Sequence, residues 1–173
     1  MVEIIDTGIP QKTNNRIIDM ITAKGQWTFA RDLSSSKGND EGMLMTTWRS
    51  IPGSPEITDT NSPINSFAFV IYDIITSKCR QKFSSLNRIM WNVYWKSISK
   101  TDFHYDETSH KYFTFIYNLH DNDGGTEVKI GKELNFYPSK SGQAIVFPSH
   151  LEHRGVEPKT QDRRFSVGFI ASF

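Results

Sequence analysis

The sequence has only one cysteine, Cys79, in 173 residues, so no internal disulfide can staple the fold, and a reducing compartment suits it. Cys79 itself reads as a small hydrophobe on a helix. Neither sign of charge is in excess: 20 Lys and Arg stand against 19 Asp and Glu, which removes the electrostatic argument for a nucleic-acid or membrane-surface partner. No run approaches the ~18 apolar residues of a membrane span. The opening Met1-Val-Glu-Ile-Ile-Asp-Thr lacks the positive segment and apolar stretch of a secretory leader. Internal repeats and low-complexity stretches are also missing. These absences set the expectation of a cytoplasmic protein that engages neither membrane nor nucleic acid.

The length and mass, 173 residues and 19.9 kDa, suit one domain over 1–173 that buries roughly two-thirds of its unfolded surface. Aromatic residues make up 13%, enough rings to fill the interior of a small β-barrel. Residues 1–87 read as a helical and mixed support, and 88–170 as the core. Ile17, Ile18, Met20 and Ile21 recur at helical spacing, which predicts a helix from Pro10 to Ala23 that stops at Gly25. Gln26–Ala30 and Met43–Trp48 are candidate strands. Ser62 and Pro63 open a second helix, running to Lys78, with Ile64, Phe67, Ala68, Ile71, Ile74 and Ile75 on one stripe for the outer face of the larger sheet. The polar segment Ser34 to Gly42 and the turn Ile51 to Glu56 are expected to form a mobile rim that selects the substrate.

From Arg88 onward short apolar runs alternate with Gly, Pro, Asn and Asp, and eight strands are predicted near 88–95, 102–106, 112–119, 125–130, 133–137, 143–147, 153–156 and 164–170. Eight short strands suggest a mainly β (α+β) fold with supporting helices, a jelly roll whose two sheets enclose a cavity.

The chemistry sits in that half. In Phe103-His104-Tyr105-Asp106 a strand would send the imidazole and the carboxylate to one face and Tyr105 to the other. Two ligands are too few for a metal, and His153, after the Pro148-Ser149 turn, supplies a third. Two His and one carboxylate on one face of an octahedron suit non-haem Fe(II) and its oxygen chemistry. Arg164 opens the final run, where its fork can hold a carboxylate. His150 rivals His153, but Val156 and Pro158 follow His153 and the spacing to Arg164 is shorter from it. His110 lacks a third partner, and His120 reads as a loop residue near the mouth of the site.

These residues, in this order, resemble the 2-oxoglutarate and Fe(II)-dependent dioxygenases, in particular the prolyl-4-hydroxylase-like branch, whose double-stranded β-helix is a cupin-like jelly roll. The likeness spans Arg88 to Phe169: Tyr94, His104-x-Asp106, the strand from Phe113 to Leu119, Gly124-Gly125-Thr126, Gly142-Gln-Ala-Ile-Val-Phe-Pro148, His153 with Val156 and Pro158, and Arg164-Phe-Ser. Two features depart from it. Gly155 moves the usual Val to 156 and Arg164 stands eleven residues after His153, which implies a small bulge. Asn118 stands where some prolyl hydroxylases carry a Tyr. Arg164 is preferred to Arg163 because Phe165 and Ser166 follow it.

The resemblance implies that His104, Asp106 and His153 bind Fe(II) as the catalytic centre, and that Arg164, Tyr94 and Asn118 hold 2-oxoglutarate. It implies O2 as the oxidant, ascorbate as a supporting reductant, release of succinate and CO2, and hydroxylation of a prolyl-type side chain in a peptide or protein. The alternatives are hydroxylation of a free amino acid or small metabolite, and a non-catalytic cupin-like binding module. Nucleobase-repairing relatives carry a second Arg six residues after the first, where this chain has Ile170.

Overall fold

The computed structural model describes residues 2–24, 28–30, 42–49, 63–96 and 102–173. Along them run β1 (Glu3–Asp6), α1 (Gln11–Lys24), β2 (Thr28–Ala30), β3 (Gly42–Arg49), α2 (Pro63–Lys78), β4 (Ser85–Trp95), β5 (Tyr112–Asn118), β6 (Asn122–Ile130), β7 (Glu133–Ser139), β8 (Gln143–Pro148), β9 (His153–Val156) and β10 (Arg163–Ser172). The proposed rim at 34–41 and 51–56, the stop at Gly25 and the cap at Ser62 lie outside the described residues.

Seven strands form the larger sheet in the order β1-β8-β5-β10-β4-β3-β2, and three form the smaller one, β7-β6-β9. Alternation along β4, β5 and β10 makes the layers. Ile89, Trp91 and Val93, Phe115 and Tyr117, and Phe165, Val167 and Phe169 are buried in one core cluster with Ile17 and Ile21 of α1 and Ile64, Ala68, Ile71 and Ile75 of α2. Each fully buried Ile contributes roughly 1.5–3 kcal/mol. Phe67 is 39% exposed, so the buried stripe of α2 is narrower than its periodicity suggests. Tyr72 meets Phe115 and Phe169, each at 5.7 Å between ring centroids, and ties α2 to the sheet. Cys79 lies buried just beyond α2, and burial above all raises its thiol to about 11, so it stays protonated at neutral pH.

The alternate residues of the same strands face the smaller sheet. Ile145 and Phe147 of β8 pack with Val128 of β6, with Ile116, Ile130 and Tyr137 beside them. Two facing antiparallel sheets with an apolar layer between them make the jelly roll, and β1, β2 and β3 extend its larger sheet from the N-terminal half.

Two elements differ from expectation. Glu3–Asp6 forms β1 against Gln143–Val146 of β8, an edge pairing so distant in sequence that no local pattern announces it. The strand expected at 102–106 is not formed. His104 makes a single antiparallel bridge to His153, and Asp106 lies in a bend. His104 meets β9 at its first residue, and the chain bends away again at Asp106.

Candidate metal centre

The bridge places the two imidazoles side by side. His104 N–H donates to His153 O and His153 N–H to His104 O, both at 3.0 Å, and the ring centroids are 4.4 Å apart. Each ring is then fixed by its own backbone. His104 Nδ1 lies 3.0 Å from Asp102 O, and His153 Nδ1 lies 3.0 Å from Leu151 O. A carbonyl accepts only, so both Nδ1 atoms carry the proton and both Nε2 lone pairs remain for a metal. The Phe147 ring stands against His153 at 4.9 Å, and His153 is 4% exposed.

Asp106 completes the group through the bend. One donor atom from each of His104, Asp106 and His153 lies within 4.8 Å of the others, and among the described residues no other such group of three exists. Oδ2 faces His153 Nε2 at 3.3 Å. With Nδ1 protonated, these are two lone pairs pointing at one another, an arrangement that calls for a cation or a second ring proton between them. Burial opposes ionisation of Asp106 most strongly, but the Arg88 guanidinium leads the groups that outweigh it and hold the carboxyl well below its ordinary range. Arg88 Nη2 donates to Oδ1 at 2.5 Å, and Thr114 Oγ1 donates to Oδ2 at 2.7 Å.

The rival histidines stand apart from this group. His110 and His150 pack against each other, 4.1 Å between centroids. His120, in the turn after β5, accepts the Phe165 N–H through Nε2 at 3.0 Å and so serves the backbone of β10.

Arg164 marks the second half of the site. On β10 it lies opposite Tyr94 of β4, and Ser166 lies opposite Asn118 of β5, so all three strands present these residues to one face. Arg164 is 1% exposed. It donates through Nη1 to Gly125 O at 2.6 Å, and through Nη2 to Asn118 Oδ1 and Thr126 Oγ1, both at 3.2 Å. The Tyr94 ring lies 5.1 Å from the guanidinium carbon. Its Nε has no partner, and among the described residues no carboxylate pairs with it. Burial lowers its pKa, with Tyr94 pulling the other way. An unpaired buried cation is costly, and an incoming carboxylate would relieve that cost. Arg163, by contrast, is exposed, with its guanidinium 5.3 Å from the Trp95 ring centroid.

Gly155 now has a reason. A Cβ there would stand 2.6 Å from Cε1, Cζ and Oη of Tyr94, so the residue that displaces the usual Val gives the tyrosine its place. Gly155 and His153 alternate on β9, opposite Thr126 and Val128 of β6. The Arg164 cluster and the His104, Asp106 and His153 group therefore sit one pleat apart on the same inner face. Sequence reasoning missed Arg88 and Thr114. Counting by twos from Tyr94 through Asn92 and Met90 reaches Arg88, which puts it on the face that carries Tyr94 and Arg164.

No family model matches the chain, and no curated protein matches it in sequence. Solved structures do resemble it. A 2OG-Fe(II) oxygenase family oxidoreductase from Burkholderia pseudomallei superimposes with a TM-score of 0.71 at 15% identity, covering 99% of this chain and 85% of that one. A prolyl hydroxylase from Trichoplax adhaerens, in complex with a hypoxia inducible factor peptide fragment, gives 0.70 at 12% identity over 99% and 83%. The non-haem alpha-ketoglutarate-dependent epimerase SnoN of nogalamycin biosynthesis gives 0.72 at 10% over 98% and 76%. With no shared sequence beyond this level, the likeness is one of architecture: the chain has the jelly-roll fold of the 2OG-Fe(II) oxygenases.

Proposed function

We propose that this protein is an Fe(II)- and 2-oxoglutarate-dependent dioxygenase that hydroxylates an organic substrate, with a prolyl-type side chain of a peptide as the best candidate. The observation that supports this most is the pairing of two unlike sites on one inner face: a His-Asp-His donor set and a buried, carboxylate-free arginine. Iron alone would need only the first. A dicarboxylate held at both ends accounts for the second.

The donor set fits iron, since two neutral imidazoles and one carboxylate leave adjacent positions open for a bidentate cosubstrate and oxygen. His104 Nε2, His153 Nε2 and Asp106 Oδ2 would hold the metal. Arg164 would bind the far carboxylate of 2-oxoglutarate, with Tyr94 and Asn118 lining that end. When bound, iron and cosubstrate supply an oxidative decarboxylation to succinate and CO2 coupled to hydroxylation. The chain's own part is to fix ligand geometry, orient the cosubstrate and keep water out with the Val128, Ile145 and Phe147 layer. The whole of 1–173 would act as one domain, and a cytoplasmic setting fits. Among the described residues no helix is long and apolar enough to cross a membrane.

A peptide substrate is favoured by the branch resemblance and by the peptide complex of the Trichoplax hydroxylase. A small metabolite is the second reading, favoured by the likeness to SnoN. The test is anaerobic addition of Fe(II) and 2-oxoglutarate. The expected result is a weak visible metal-to-ligand absorption band, then succinate release stimulated by a proline-rich peptide under air. Absence of the band would refute the dioxygenase reading, and stimulation only by small metabolites would refute the peptide.

A further inference from the structure

Of the three metal ligands only Asp106 has a choice of donor atom, because either or both carboxylate oxygens can bind a cation. The imidazoles have none once Nδ1 is engaged with a backbone carbonyl. Two residues remove the freedom of Asp106. Arg88 reaches Oδ1 at 2.5 Å from β4. Thr114 donates to Oδ2 at 2.7 Å from β5, with the buried Ser149 Oγ 2.9 Å from its own hydroxyl. Arg88 and Thr114 both stand opposite Ile170 of β10, so they grip the carboxylate from the two strands that flank it. The charged donor occupies Oδ1, and Oδ2 is the atom that faces His153 Nε2.

We propose that Arg88 and Thr114 form a two-sided clamp that commits Asp106 to metal ligation through Oδ2 alone, with Arg88 as the positioning residue of the centre. The inference rests on the metal reading of the triad and extends it to groups that touch no metal. Its sign is opposite to that of simple electrostatics. A guanidinium beside a cation site repels the cation, so as a mere charge its removal would tighten metal binding. As a clamp, its removal frees the carboxylate to rotate and weakens binding.

The experiment is a titration of metal-free protein with Mn(II), followed by the electron paramagnetic resonance signal of the free ion, on the unmodified chain and on Arg88→Gln, Arg88→Lys, Thr114→Val and Arg163→Gln. Circular dichroism checks that each variant is folded. Arg88→Gln is expected to weaken Mn(II) binding about 10- to 100-fold, the usual effect of losing a group that orients a ligand. Arg88→Lys should recover most of that loss, because one N–H contact to Oδ1 suffices. Thr114→Val should weaken binding by about tenfold, and the exposed Arg163→Gln should change nothing. Unchanged or tighter binding by Arg88→Gln overturns the clamp. If Arg88→Gln does not fold, Thr114→Val decides, and unmodified affinity there overturns it. Failure of the unmodified protein to bind Mn(II) would instead refute the metal reading itself.

Discussion

The two halves of the site treat buried charge in opposite ways. Around Asp106 the charge is answered: the Arg88 guanidinium donates to one oxygen and the Thr114 hydroxyl to the other. Around Arg164 it is not answered, since carbonyl, amide and hydroxyl oxygens surround a guanidinium that meets no carboxylate among the described residues. A protein built only for stability would gain by neutralising the second site or replacing it with apolar side chains. The difference teaches that the Asp106 carboxylate already has its countercharge in Arg88, while the Arg164 guanidinium lacks one among the described residues.

The sharpest way to break this contrast is to delete each charge and ask which ligand is lost. Asp106→Ala should abolish retention of Fe(II) or Mn(II), a loss beyond the ~100-fold typical of outer groups, while Arg164→Ala should keep the metal. Metal analysis after desalting checks both. Arg164→Ala should cost about 2–5 kcal/mol of 2-oxoglutarate binding, or about 30- to 5,000-fold in Kd, whereas Arg163→Ala should stay near the unmodified value. Equal weakening by the two arginine variants would remove the distinction.

A finer probe is Gly155→Ala. The added methyl group collides with Tyr94 and should cost about 1–3 kcal/mol in overpacking, a fall of roughly 2–4 °C in Tm per kcal/mol. 2-Oxoglutarate affinity should fall too, with Mn(II) affinity untouched, because the ring belongs to the Arg164 end.

The smallest effect concerns His120. Burial first, and then Arg164, hold its pKa below the usual histidine value. The unfolded chain therefore binds more protons, and the stabilisation is complete above the unfolded pKa and is lost as pH falls through it toward the folded pKa. Thermal midpoints should decline between about pH 7 and pH 5, and less so in His120→Gln. Unchanged slopes would mean that folding does not lower the His120 pKa.

The site was more legible than the backbone that carries it. His104, Asp106, His153 and Arg164 stand out because metal and carboxylate chemistry accept few residue types, and the structure brings the first three together. The strand expected at 102–106 misled because alternation is a local pattern, whereas strand formation depends on a partner, and β9 offers one bridge. β1 was missed for the same reason in reverse, its partner being far away in sequence. The roles of Arg88 and Thr114 were hidden because each is an ordinary strand residue until Asp106 folds over it. The helices, whose periodicity is self-contained, matched to within about a residue at the described ends.

The paired backbone hydrogen bonds between His104 and His153 bear on how such a protein changes over generations. Because the main chain of two segments registers the imidazoles, the exposed turn between β6 and β7 can lengthen or shorten without detuning them. Insertion of a few residues at the exposed Gly131 turn should leave Mn(II) uptake intact. Such backbone registration lets one architecture carry very different sequences: this chain shares the fold of structures to which it is only 10–15% identical, with 98–99% of its length overlaid.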